Sequence, residues 1–139
     1  MADDTKPRIL IVEDHPLIAE LVETRLRIEG MTPTKCAGGR EALIVLAQER
    51  LDAVICDIMM PDVDGYEVLR SIRATPVTAT LPVIFLTAKS SPADVERGLA
   101  LGANHYITKP FSGQDLMRKL RLCLAERKAV ATESNPATG

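Results

Sequence analysis

The feature of this sequence that most constrains its fold is an alternation of short apolar runs with longer amphipathic segments. The runs cover residues 9–12, 32–36, 53–56, 83–86 and, more weakly, 103–107. They are short and largely continuous, as in strands that are covered on both faces of a sheet. The second run is more polar and contains Pro33. Because proline cannot donate a ladder hydrogen bond, this strand is predicted at a sheet edge.

The segments between the runs carry apolar residues at helical spacing. The clearest positions are Leu17, Leu21, Val22 and Ile28 in the first segment, Leu43 and Leu46 in the second, Val68, Leu69 and Ile72 in the third, and Leu116, Leu120 and Leu124 in the last. Ser91 before Pro92 is typical of a helix start, and Gly30 and Gly102 are typical of helix ends. The order predicts an α/β fold, namely a doubly wound five-stranded parallel sheet of order 2-1-3-4-5 with five helices, flavodoxin-like.

The length and composition predict one folded unit. The chain has 139 residues, of which 46% are hydrophobic and 26% are charged, the balance of a globular domain. We expect an N-terminal tail over residues 1–7, a domain over residues 8–128, and a flexible C-terminal tail or linker stub over residues 129–139. The last ten residues, V-A-T-E-S-N-P-A-T-G, are small, polar and rich in helix breakers.

Charge and hydropathy exclude several classes of function. A formal net charge of −2 predicts no direct contact with nucleic acid, which needs a basic face. No apolar run approaches membrane-spanning length, and the N-terminus M-A-D-D-T-K-P is unlike a signal peptide. The three cysteines are scattered and are expected to be free thiols. We therefore predict a cytoplasmic protein without a membrane partner.

Acidic residues follow two of the predicted strands. Glu13 and Asp14 come directly after the first strand, and Asp57 follows the third. In this strand order, a ligand crevice opens at the carboxyl ends of those two strands. Two unit charges about 4 Å apart repel by about 4 kcal/mol at an effective dielectric of about 20. A hard divalent cation such as Mg²⁺, which favours oxygen ligands and phosphate, is the simplest means of offsetting that repulsion.

Two further polar residues lie at the ends of the fourth and fifth predicted strands, on the same rim. A hydroxyl donor, Thr87, and an ammonium group, Lys109, are suited to the charge of a transferred phosphoryl group. Asp57 would then be the nucleophile, and an acyl phosphate the product. Taken singly, Thr87 could simply end a strand and Lys109 could be a surface charge. Their joint placement on the rim favours the phosphoryl site.

Four motifs make the chain resemble the receiver domains of two-component response regulators, roughly over residues 7–127. The motifs are I-L-I-V-E-D at 9–14, D-I-M-M-P-D-V-D-G-Y-E at 57–67, F-L-T-A at 85–88 and Y-I-T-K-P-F at 106–111. The resemblance implies that Asp57 is the phosphoacceptor. It further implies that Asp14, Asp57 and the backbone carbonyl of Met59 contact Mg²⁺, for which Mn²⁺ can substitute, and that Glu13 contributes through water.

The same resemblance implies a switch. Thr87 and Lys109 would hold the phosphoryl oxygens, and after phosphorylation Thr87 would move towards the phosphate while Tyr106 swings inward. The altered surface would be the face made by the fourth helix, fifth strand and fifth helix, which contacts a downstream protein target. The Lys109–Pro110 peptide bond is expected to be cis. Family members assist their own phosphorylation and dephosphorylation and are not enzymes acting on outside substrates.

The implied phosphoryl donor is a sensor histidine kinase or a histidine phosphotransfer protein, with small acyl phosphates as substitutes. Met59 and Lys89 occupy family positions that tune the lifetime of the phosphoryl group. Because Met59 cannot position a hydrolytic water, a comparatively long-lived phosphoform is predicted. Val63 replaces a commoner methionine, an apolar exchange of small effect.

Other doubly wound proteins fit the sequence less well. A flavodoxin needs a hydroxyl- and glycine-rich phosphate loop after the first strand, where this chain has E-D-H-P-L. A phosphatase of the haloacid dehalogenase kind needs an aspartate at the position of Met59. Because nothing after Arg127 resembles a helix-turn-helix or a second core, a free-standing response regulator, monomeric or weakly dimeric after phosphorylation, is expected. The alternative is a receiver cut from a longer regulator with a DNA-binding or enzymatic output domain.

Overall fold

The predicted strands form one parallel sheet in the computed structural model, which describes residues 5–133. The strands are β1 (Arg8–Val12), β2 (Thr32–Cys36), β3 (Ala53–Cys56), β4 (Val83–Thr87) and β5 (His105–Thr108). Their order is β2-β1-β3-β4-β5, and every neighbouring pair is parallel. The topology confirms the predicted doubly wound sheet and places β2, with its proline, at an edge.

Helices connect successive strands. They are α1 (Pro16–Ile28), α2 (Gly39–Gln48), α3 (Gly65–Ala74), α4 (Pro92–Ala100) and α5 (Gly113–Glu133), with a short 3₁₀ turn over Pro76–Thr78. The predicted start of α4 is confirmed, since the Ser91 hydroxyl accepts the amide of Asp94 at 3.1 Å. The predicted helix ends are also confirmed, because Gly30 and Gly102 have φ values of 82° and 110°. Glycine adopts this left-handed conformation without the steric cost other residues meet.

Two apolar cores cover the two faces of the sheet. Alternate strand residues such as Leu10, Val54 and Phe85 pack in the core that also contains buried residues of α2 and α3. Their strand neighbours, such as Ile11 and Ile55, pack in the core that contains buried residues of α1 and α5. All strands but the edges are therefore covered on both sides, which explains their continuous apolar sequences.

The apolar face predicted for α1 is partly wrong. The core side of this helix is formed by Ala19, Val22 and Leu26. Leu17 and Leu21, which share the helical spacing, are 71% and 61% exposed. Helix α1 thus carries two apolar faces, and periodicity alone does not distinguish the face that meets the sheet.

The fifth strand begins later than the apolar run predicts. Ala103 is buried, but its amide donates to the carbonyl of Gly98 at 3.1 Å and so completes the end of α4. The amide of Asn104 is the first to pair with β4, at the carbonyl of Val83. The burial of Ala103 therefore reflects helix capping, and β5 starts at His105.

The predicted C-terminal tail, residues 129–139, begins before the last helix of the structure has ended. Helix α5 extends to Glu133, so residues 129–133 are helical. The run A-V-A-T-E contains no glycine or proline and therefore continues a helix, and Pro136 is the first breaker beyond it. Residues 134–139 and 1–4 lie outside the described part of the chain. Within residues 5–133, no helix, α5 included, has both the length and the apolar character needed to cross a membrane.

Asp62 caps a helix that is distant in sequence. Its carboxylate accepts the amides of Gly39 and Arg40 at 3.3 and 3.2 Å, and that of Val63 at 2.7 Å. The residue before α2, Gly38, has no side chain to perform this function. These backbone hydrogen bonds hold the pKa of Asp62 below its usual range. The loop after β3 is thereby tied to the start of α2.

We predict that Asp62→Ala lowers the melting temperature at neutral pH. Because the folded-state pKa of Asp62 is lowered, the stabilisation is fully present above the ordinary aspartate pKa of about 3.9 and is lost as the pH falls through the folded value. The difference in melting temperature between variant and parent should therefore shrink below that pH. Thermal denaturation followed by circular dichroism at several pH values measures it. Glu96→Gln, at an exposed position of α4, is the control, and an unchanged difference at low pH contradicts the assignment.

Candidate functional site

The strand register brings the acidic residues together. Val12 of β1 pairs with Cys56 of β3, so Glu13 and Asp57 leave the sheet at the same level. The amide of Asp57 still donates to the carbonyl of Val12 at 2.9 Å, and that of Glu13 to the carbonyl of Cys36 at 3.0 Å. Both backbones are therefore fixed by the sheet, and both side chains are buried, with 5% and 6% exposure.

Three carboxylates meet at this end of the sheet, as the sequence predicts. One oxygen from each of Glu13, Asp14 and Asp57 lies within 4.8 Å of the others. Asp14 is exposed, whereas the other two are buried. Carboxylates at this separation repel unless a cation or a proton lies between them. A hard divalent cation with oxygen ligands fits this donor set.

Lys109 reaches across the crevice to two of these carboxylates. Its Nζ lies 2.8 Å from Oε1 of Glu13 and 3.1 Å from Oδ2 of Asp57. The Lys109 amide donates to the carbonyl of Thr87 at 2.8 Å, which fixes its backbone beside the end of β4. The Lys109–Pro110 bond is cis, as expected. The ion pair between Lys109 and Glu13 was not predicted, because nothing in the sequence indicates which carboxylate a distant lysine meets.

Burial and pairing act in opposite directions on the ionisation of the site. Burial raises the pKa of Glu13, the hydrogen bond from Lys109 lowers it, and the charge of Asp57 raises it, with a net increase. For Lys109, burial lowers the pKa, but the hydrogen bonds to Glu13 and Asp57 outweigh that effect and the net pKa is raised. The lysine is therefore held in its charged form. One positive charge faces three carboxylates, which leaves the site able to accept further positive charge.

Thr87 and Tyr106 are joined through the backbone of one residue. Thr87 is fully buried, and its hydroxyl oxygen accepts the amide of Lys89 at 3.3 Å. The hydroxyl of Tyr106 donates to the carbonyl of Lys89 at 2.8 Å. The half-buried Tyr106 ring packs edge-on against Phe85, with centroids 6.0 Å apart. Tyr106 thus lies inward in this structure, and both predicted switch residues contact the same peptide segment.

The loop after Asp57 is held close to the acidic site. The amide of Met59 donates to Oδ1 of Asp57 at 3.2 Å, and that of Gly65 donates to the carbonyl of Ile58 at 2.9 Å. A Cβ atom on Gly65 would lie 2.4 Å from the carbonyl oxygen of Asp57, so only glycine fits here. The D-G pair before an amphipathic segment was the available signal for this close approach. An open cleft of about 550 Å³, lined among others by Asp14, Met59 and Lys89, gives access to the site.

Fold and site together define a class: doubly wound α/β proteins with an acidic, lysine-containing pocket at the switch point of a parallel sheet. The family model of the response regulator receiver domain matches residues 9–121. The chain belongs to this family, whose members are signalling modules of two-component systems. Phosphorylation and Mg²⁺ binding at an acidic pocket are general features of the family.

Known proteins from several contexts are similar to the chain. The transcriptional regulatory protein TrcR of Mycobacterium tuberculosis is 41% identical over 120 residues, which cover 86% of this chain and 46% of TrcR. The structure of the Vibrio cholerae chemotaxis protein CheY4 superposes with a TM-score of 0.81 at 31% identity, covering 86% of this chain and 100% of that one. The signal receiver domain of a histidine kinase from Syntrophus aciditrophicus gives a TM-score of 0.81 at 39% identity, covering 86% and 91%. The chain spans about half the length of the curated relatives it matches.

We predict that Lys109→Met destabilises the fold in a pH-dependent manner. Without the ammonium group, two buried carboxylates lose their cation, and the free energy of unfolding should fall by about 1 to 3 kcal/mol at neutral pH. The pKa of Glu13 would rise further, so the folded chain would bind a proton more tightly than the unfolded chain. Stability is then lost as the pH rises through that folded pKa. Denaturant titration near pH 5 and near pH 8, with a chelator present, measures the effect.

The matched control is Lys119→Met on α5. Lys119 pairs with Asp115 at 3.0 Å on the surface, where an ion pair contributes little. The control should change stability only slightly at either pH. A Lys109→Met variant that loses as much stability near pH 5 as near pH 8 contradicts the charge-based account.

Proposed function

We propose that this chain is a phosphorylation-dependent signalling switch that accepts a phosphoryl group on Asp57. The observation that carries the proposal is the position of Asp57, a buried carboxylate whose Oδ2 lies 3.1 Å from Lys109 Nζ and which clusters with the carboxylates of Glu13 and Asp14. The open cleft beside it gives a donor access. The donor would be a phosphohistidine on a sensor histidine kinase or a histidine phosphotransfer protein, with small acyl phosphates as substitutes.

The chemistry is the transfer of one phosphoryl group from an imidazole nitrogen of the donor to a carboxylate oxygen of Asp57. A carboxylate oxygen of Asp57 attacks phosphorus, a P–O bond forms, and the bond to the donor nitrogen breaks with its electron pair remaining on the imidazole. The ammonium of Lys109, already 3.1 Å from Asp57, offsets charge on the phosphoryl oxygens. The hydroxyl of Thr87 supplies a hydrogen bond to the same oxygens. The chain thus assists its own phosphorylation and dephosphorylation and does not turn over outside substrates.

The site residues suit a bound Mg²⁺ ion. Asp14, Asp57 and the backbone carbonyl of Met59 would hold the ion, and Glu13 would act through water, as the family resemblance implies. The clustered carboxylates, opposed by a single lysine, support this assignment. When bound, Mg²⁺ supplies positive charge to the transferring phosphoryl oxygens, and Mn²⁺ is expected to substitute.

The output of the switch would run through Thr87 and Tyr106. A phosphoryl group on Asp57 attracts the Thr87 hydroxyl, whose oxygen now accepts the Lys89 amide. The Lys89 carbonyl also accepts a hydrogen bond from the Tyr106 hydroxyl. Movement of Thr87 would therefore shift the backbone segment that the Tyr106 hydroxyl is bound to. The face formed by α4, β5 and α5 would change accordingly, and a downstream protein would bind it.

The phosphoryl donor would dock beside the site on α1. This helix begins at Pro16, two residues after Asp14, and its side chains Leu17 and Leu21 are exposed although they are apolar. Exposed apolar residues beside a reactive group favour a protein partner.

Two contexts for the switch differ in what lies outside this chain. In the first context, the chain is a free-standing cytoplasmic regulator that is monomeric or weakly dimeric after phosphorylation. The similarity to the chemotaxis protein CheY4 favours this context. In the second context, the chain is a receiver that controls a DNA-binding output domain. The similarity to transcriptional regulators of about twice the length favours this context. In either context the receiver itself makes no direct contact with nucleic acid.

We predict that incubation with acetyl phosphate and Mg²⁺ adds one phosphoryl group, about 80 Da, to the unmodified chain. The gain should be absent in Asp57→Asn and after removal of Mg²⁺ with a chelator. Intact-mass spectrometry measures both. Asp115→Asn, on α5 and away from the site, is the control and should be phosphorylated like the parent. Phosphorylation of Asp57→Asn to the same extent as the parent would falsify the assignment of the acceptor.

We predict that the phosphoform lives for minutes or longer and that Met59→Asn shortens its lifetime. Met59 is exposed beside Asp57 and has no group that can orient a water molecule, whereas an asparagine amide can. The decay of the phosphorylated mass after donor removal gives the rate constant. Leu122→Asn, at a similarly exposed apolar position on α5, is the control. Hydrolysis of the parent within seconds, or an unaltered rate in Met59→Asn, contradicts this role of Met59.

A further inference from the structure

Helix α4 meets the sheet at a glycine. Of the nine described residues of this helix, Gly98 is the buried one, and it faces the rings of Phe85 and Tyr106. These two residues are paired across β4 and β5. Helix α4 therefore contacts the Tyr106 ring at the one buried position of the helix, where no side chain is present.

Three of the four aromatic side chains of the molecule form one row beneath α4. The Tyr66 and Phe85 rings are 5.8 Å apart, Phe85 and Tyr106 are 6.0 Å apart, and both pairs are edge-to-face. Arg97, the neighbour of Gly98, places its guanidinium 4.0 Å from the centroid of the Tyr66 ring. Phe85 is completely buried and so cannot yield much space to its neighbours.

A methyl group at position 98 would conflict with this row. A Cβ atom would lie 2.9 Å from both Cδ2 and Cε2 of Tyr106 and 3.1 Å from Cδ2 of Phe85. Carbon atoms pack favourably at about 3.5 to 4.0 Å. Of the two rings, Phe85 is enclosed while Tyr106 is half-exposed on the edge strand, so the Tyr106 ring is the one that can move away.

We propose that Gly98 is a positioning residue for the Tyr106 switch, because the inward Tyr106 ring occupies the space that a side chain at residue 98 would fill. The size of residue 98 sets the balance between inward and outward Tyr106. The inference rests on the proposed switch for its consequences, since the position of Tyr106 determines the shape of the α4–β5–α5 face. The steric effect itself exists without phosphorylation.

The composition of the chain allows a direct observation of this ring. The chain has two tyrosines and no tryptophan, so Tyr66→Phe leaves Tyr106 as the sole tyrosine. The Tyr66 hydroxyl is buried without a hydrogen-bond partner among the described residues, and its removal should therefore be well tolerated. Biosynthetic incorporation of 3-fluorotyrosine into this background gives fluorine signals from Tyr106 alone. The shift of the signal between H₂O and D₂O reports the exposure of the ring.

In this background, Gly98→Ala should lower the ratio of inward to outward Tyr106 by about fivefold or more, which corresponds to about 1 kcal/mol of overpacking. The fluorine signal should move and its solvent-isotope shift should increase. Gly98→Ser provides a second case with the same expectation. Circular dichroism checks that the helices are retained, as expected because alanine favours a helix over glycine.

The control is Gly113→Ala at the start of α5, where the atoms nearest to the added methyl group belong to the Arg25 guanidinium, with Nη1 at 3.2 Å. It should leave the Tyr106 signal unchanged. Fluorine signals and isotope shifts in folded Gly98→Ala and Gly98→Ser that match the parent overturn the proposal. The comparison uses no phosphoryl donor, so its failure is distinct from a failure of Asp57 to take up phosphate.

Discussion

The contact of Lys109 with Glu13 and Asp57 is the interaction on which the site depends. Parallel strands place the two carboxylates side by side at the end of the sheet, where both are buried. Buried carboxylates without a cation take up protons or destabilise the fold. Lys109, 96 residues away in sequence from Glu13, offsets that charge and links β5 to β1 and β3 across the crevice. The pairing keeps Asp57 close to an ammonium group, which is also what phosphoryl transfer requires.

The rest of the fold holds this contact in place through backbone groups. The Lys109 amide donates to the Thr87 carbonyl, and the Asp57 amide donates to the Val12 carbonyl, so the side chains of the site extend from a continued hydrogen-bond ladder. The loop after β3 is fastened at Asp62 to the start of α2. Gly65 lets α3 begin against the Asp57 backbone. The side chains are therefore positioned by rigid elements and need little reorganisation.

Sequence patterns predicted those features that follow from local chemistry. Continuous apolar runs predicted the strands, and Pro33 predicted the edge strand. The acidic residues after two strands predicted the crevice, because parallel strands end at a common rim. Features that depend on tertiary contact were not predicted. Helix α1 has two apolar stripes, and only packing shows that Val22 is buried while Leu21 is exposed. The contact of Gly98 with the Tyr106 ring and the cap that Asp62 provides to α2 each involve separate segments of the chain. No local sequence pattern predicts contacts of this kind.

In the proposed switch, the two hydrogen bonds at Lys89 would couple the site to the surface. A two-state switch needs states that differ by only a few kcal/mol, so a local change in charge is sufficient to shift their populations. The Lys89 amide donates to Thr87, and its carbonyl accepts from Tyr106. Each bond contributes about 1 kcal/mol, which is the scale that a switch requires. In the proposed switch, competition between phosphate and the Lys89 amide for Thr87 would loosen or shift that peptide segment. The Tyr106 ring would then respond through the second bond.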